Sequence, residues 1–133
     1  MKLKLDFVTN SSTTSFVMAV DGELTRVRLA ELMGVPPDSP LHPLVDGLFE
    51  ALKRNSSRVT PDAPLDGMPL REILRGELAK ETVQKLQEAR EKGWEVWAGR
   101  MHSDIDWTEL FFCTDSFEWE NEHLYLNGLE CGW

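Results

Sequence analysis

The sequence predicts an α+β domain: a single antiparallel or mixed sheet assembled from N- and C-terminal strands, packed on one face by two or three helices from the middle of the chain. Three observations lead there. Two strand-like apolar runs stand near the start, at residues 3–8 and 16–20. Between positions 44 and 93 apolar residues recur at helical spacing. From Trp94 onward the period switches to two. The 133 residues suit one domain, long enough to bury roughly two thirds of the unfolded surface without metals or disulfides.

Taken in order, Leu3 to Val8 and Phe16 to Val20 read as strands, and Asp21-Gly22 supplies a turn that would fold the second strand into a hairpin. Glu23 to Leu29 alternates polar and apolar residues, which predicts a third strand followed by one helical turn ending at Gly34. Pro36, Pro37, Pro40 and Pro43 make a rigid loop. Leu44, Val45, Leu48, Phe49 and Leu52 then share one face of a core-facing helix that ends near Arg54. Residues 55–69, rich in Ser and Pro, are expected to form a mobile surface loop.

Pro69 suits the first position of a helix carrying Leu70, Ile73 and Leu74. A second helix runs through Leu78, Thr82, Val83, Leu86 and Ala89 to a stop at Gly93. Strands follow at Trp94–Ala98, Glu109–Thr114, Phe117–Glu120 and His123–Leu126, with turns at Asn121-Glu122 and Asn127-Gly128.

Charge bounds the function. The chain carries a net charge of −9, and residues 101–133 hold eight acids and no Lys or Arg. Such a field disfavours direct nucleic-acid binding and suits a basic protein partner or a metal ion, although a solvated acidic face would look the same. No apolar run is long enough to span a membrane, and Lys2, Lys4 and Asp6 interrupt the start where a secretory segment needs apolar residues. Cys113 and Cys131 stand outside any C-x-x-C spacing, as buried thiols of a reducing compartment would. A cytoplasmic protein is expected.

The densest chemical signal is the tract Thr9, Asn10, Ser11, Ser12, Thr13, Thr14, Ser15. Its hydroxyls could bond the local backbone, line an anion pocket or be modified by another protein. Phosphate loops normally use glycine, and none stands between Met1 and Val20. The stretch from Lys4 to Val17, DFVTNSSTTSFV in its core, resembles a DFVTNSSSSSF(V/I) signature at the N-termini of many uncharacterised bacterial proteins, with Thr13 and Thr14 in place of serines. That resemblance implies a bacterial origin and a segment read by a common partner; it implies no catalytic residue.

His102, Asp104 and Asp106 alternate, so in an extended segment they would project to one side and, with Glu109, could hold a divalent ion. Polar turn residues give the same pattern, and no cofactor is required by it. A thiolate site from Cys113, His123 and Cys131 lacks the tight ligand pair that structural zinc uses. No nucleophile elbow is present, and Glu118, Glu120 and Glu122 read as the wet face of a strand. Trp94 and Trp97 have opposite parity, so with one covered face at least one of them is exposed or at an interface. Trp97, Trp107 and Trp119 are the interface candidates, for a protein partner or a homodimer seam. The expectation is a non-catalytic protein-interaction module, with a small metal-binding domain or metal-dependent enzyme, or a substrate of a modifying enzyme, as alternatives.

Overall fold

The computed structural model describes residues 13–65, 70–74, 78–102 and 117–128. The expected α+β class and the single antiparallel sheet are both present. Among the described residues five strands lie in the order β2-β3-β1-β5-β4. They are β1 (Thr13–Val20), β2 (Ser56–Val59), β3 (Glu95–His102), β4 (Phe117–Glu120) and β5 (Leu124–Gly128). The helices are α1 (Arg26–Met33), α2 (His42–Asn55), α3 (Leu70–Leu74) and α4 (Lys80–Glu91).

β1 takes the centre because its apolar run has no polar alternate to leave in water. Phe16 to Val20 are all at most 2% exposed, the signature of a strand covered on both faces. It pairs antiparallel with β3, Val20 opposite Glu95, and with β5, Val20 opposite Leu124.

That double coverage revises the expected layering, in which all helices lay on one face. Phe16, Met18 and Val20 point into a core shared with Leu29 of α1 and Leu48 and Leu52 of α2. Val17 and Ala19 point into a second core with Leu70 and Leu74 of α3 and Leu86 of α4. The opposite parity of Trp94 and Trp97 then needs no exposed ring. Each is half-buried, Trp94 against the second core and Trp97 against the first.

Four local expectations give way. Gly22, at φ 87, turns the chain off the sheet instead of into a hairpin. The chain then enters α1, where a third strand was expected. Thr25, extended at φ −126 and ψ 161, caps that helix by accepting from the Arg28 N–H through its hydroxyl, 3.1 Å away. The apparent alternation was misleading because Val27 is 67% exposed, while Leu24, Leu29 and Ala30 go inward. At the far end, the N–H of Gly34, at φ 74, bonds Ala30 and Glu31 carbonyls.

The expected loop at 55–69 begins as edge strand β2, entered directly from α2. Its continuation is clamped to α4, because the Arg90 guanidinium donates to the Ala63 carbonyl at 2.6 Å and to the Thr60 carbonyl at 2.7 Å. Arg90→Lys is expected to cost about 1–2 kcal/mol, since an ammonium cannot reproduce the fork. Faster amide exchange confined to 60–65 would check this.

Finally, Asn127-Gly128 makes no hairpin. Both residues lie in β5, where Gly128 pairs with Phe16 and with Phe117. A row crosses the sheet here, Ser56, Gly99, Phe16, Gly128, Phe117. A Cβ on Gly128 would fall 2.3 Å from the Phe117 ring, so the missing side chain makes room for an aromatic neighbour.

Candidate functional site

The Ser/Thr tract enters the described residues at Thr13, and its last part is strand. Thr14 is fully buried. The Ser15 hydroxyl, half-buried, donates to the Leu74 carbonyl at 2.8 Å and ties β1 to the end of α3. In the folded chain the Ser15 hydroxyl thus makes a tertiary contact. Thr9, Asn10, Ser11 and Ser12 lie outside the described residues, as do Trp107, Asp104, Asp106 and Glu109. His102 is half-buried at the end of β3. Among the described residues no group of three or more His, Cys, Asp or Glu could hold a metal ion.

The acidic strand is built into the fold on the α4 face. Glu120 pairs with Lys85 of α4, which raises the lysine pKa. Glu118 accepts from the Tyr125 hydroxyl at 2.7 Å. Asn127 donates to that hydroxyl at 3.0 Å and reaches Thr82 at 3.4 Å. Burial pushes the Tyr125 pKa up; the Asn127 hydrogen bond opposes this and the bond to Glu118 adds to it.

A phenol held more tightly in its neutral form stabilises the fold below its unfolded pKa near 10, and that contribution is lost as pH rises through the folded value. Tyr125→Phe should therefore flatten the alkaline fall in stability while costing about 1 kcal/mol at neutral pH. Urea midpoints at about pH 8 and about pH 11 would show it.

Trp119 packs its ring 4.8 Å from that of Phe117, on the α1 face of the sheet. Trp97 has a different setting. It lies on the same face, opposite Met18 of β1 and Arg58 of β2, where neither α1 nor α2 covers the sheet completely. Chain geometry explains the gap: α2 runs straight into β2 without a loop, and residues 21–25 leave the sheet before α1 begins.

A cleft of about 260 Å³ results, lined by Met18, Gly22, Glu23, Leu24, Lys53, Ser56, Glu95 and Trp97. Met18 and Leu24 are buried and apolar. The 21–24 wall is fixed by Arg28, whose guanidinium donates to the Asp21 and Glu23 carbonyls. His123 also meets Asp21, Nδ1 to Oδ2 at 3.3 Å, tethering that wall to the β4–β5 turn.

Of the charges at the cleft, Glu95 faces Arg58 at 3.4 Å and the Lys53 ammonium sits 5.9 Å from the Phe49 ring centre. The exposed Glu23 carboxylate has no ion pair among the described residues. An apolar floor with an aromatic plane and a charged rim suits recognition of an amphipathic side chain. Sequence reasoning named Trp97 and missed the rest, because the lining comes from four separate stretches of chain with no shared motif.

No protein-family model matches the chain, and no curated protein and no solved structure is significantly similar to it. No helix among the described residues is long and apolar enough to cross a membrane.

Proposed function

We propose that this protein is a non-catalytic protein-interaction module that engages its partner at the Trp97 cleft. The observation that carries the reading is the placement of a half-buried indole in an open cleft beside buried Met18 and Leu24. Half-buried aromatics flanked by polar rims dominate the energetics of protein interfaces. At about 260 Å³ the cleft has room for one inserted side chain.

The acidic balance supports a basic protein partner and opposes a nucleic acid. The resemblance of residues 4–17 to a bacterial signature, and two cysteines outside any paired spacing, support the bacterial cytoplasm as its compartment.

A photo-crosslinking residue at Ser56, in the cleft, tests the reading against the same residue at the exposed position Glu81 of α4. In cells of the source organism, Ser56 should yield one dominant adduct absent at Glu81 and absent when Trp97 is replaced by Ala. Identical adducts from both positions would sink the reading, and an adduct with a second copy of this chain would convert it to a homodimer seam.

A further inference from the structure

We infer that the group seated in the Trp97 cleft is an arginine side chain of the partner protein; this rests on the cleft being the partner-binding surface. The lining supplies what a guanidinium uses. Trp97 offers an aromatic plane, and Glu23 and Glu95 stand at the rim as carboxylates. Met18 and Leu24 offer apolar surface to the methylene stem.

A planar guanidinium stacks on an indole while donating in its own plane to carboxylates, a combination that neither a lysine nor a neutral side chain makes. Glu23 has no ion pair among the described residues. Glu95 holds Arg58 only at 3.4 Å, longer than the 2.7–2.9 Å of a close charge-assisted hydrogen bond. At longer range the protein's net charge of −9 favours the approach of a cationic partner.

One lining group opposes the guest. Lys53 brings a positive charge to the wall, and its ammonium is turned toward the Phe49 ring of its own helix at 5.9 Å. It therefore limits affinity and provides a control: Lys53→Met should tighten binding of a cation and leave a neutral guest unchanged.

The test uses the full chain and two capped tripeptides, acetyl-Ala-Arg-Ala-amide and its citrulline counterpart, which has the same shape without the charge. The readout is the Trp97 indole N–H resonance, assigned by its loss in Trp97→Phe. The arginine peptide should shift it saturably with a Kd on the order of 10 mM, as a single side chain allows. The citrulline peptide should bind about tenfold more weakly. Glu23→Gln, an exposed change that leaves the fold intact, should weaken the arginine peptide at least about threefold and not affect citrulline.

Equal binding of the two peptides would overturn the arginine assignment while leaving the cleft as a binding surface. No shift with either peptide would also overturn it, and the crosslink from Ser56 then decides separately whether the interaction reading survives.

Discussion

Gly99→Ala is expected to destabilise the protein by about 3 kcal/mol, enough to consume a large part of the stability of an ordinary domain. Its backbone needs no left-handed conformation, so the cost is purely steric. A Cβ at position 99 would stand 2.1 Å from the Asn55 carbonyl oxygen and 2.9 Å from the Phe16 ring. The carbonyl cannot retreat, because Asn55 ends α2 and the next residue, Ser56, is already paired with Gly99 in β2. Moving one would tear either the helix or the edge strand. Chemical denaturation followed by circular dichroism would measure the loss. Adding Phe16→Leu should not restore stability, since it relieves only the contact with the ring; a full rescue would show that the backbone clash is not what matters.

Phe16→Ala should cost about 3–5 kcal/mol, as truncating a buried aromatic does. The ring is fully buried in the core between the sheet and α1 and α2. Its two register partners are both glycines, Gly99 and Gly128. Neighbours usually lean into a void left by a truncated ring, and here the two flanking positions have no side chains, which leaves the Phe117 ring over Gly128 as the neighbour beyond them. The void should persist, and a denaturation midpoint lowered without a change in slope is the expected signature. A cost below about 2 kcal/mol would mean that α2 settles onto the sheet to close the space.

These glycines also show which parts of the fold were legible. The apolar run from Phe16 to Val20 announced a strand, and the spacing of Val45, Leu48 and Leu52 announced a helix, because in both cases burial follows a local period. The turn at Asn121 was legible too, and its side-chain oxygen accepts from the His123 and Leu124 N–H groups. Gly128 was misread because Asn-Gly is a strong turn signal on its own, whereas its role here is set by Phe117 on a neighbouring strand. Helix α1 was misread because Thr25 could open either a strand or a helix, and packing of Leu29 and Ala30 decided between them.

The division of helices between two faces was written in the unbroken apolarity of β1, since a strand with one wet face would have alternated. The cleft was largely illegible. Trp97 stood out by its parity, but Glu23, Lys53 and Glu95 are ordinary surface charges until the fold brings them around one opening.

The central place of β1 has a consequence for how the chain acquires its structure. Its partners lie far along the sequence, Glu95 and beyond on one side and Leu124 and beyond on the other. During synthesis, the most apolar strand leaves the ribosome well before anything it can pair with exists, whereas α1 and α2 follow it directly. Folding should then be slow for a chain of this size, with helices formed early and the sheet closed last. Through that interval Phe16-Val17-Met18-Ala19-Val20 is an uncharged segment open to self-association.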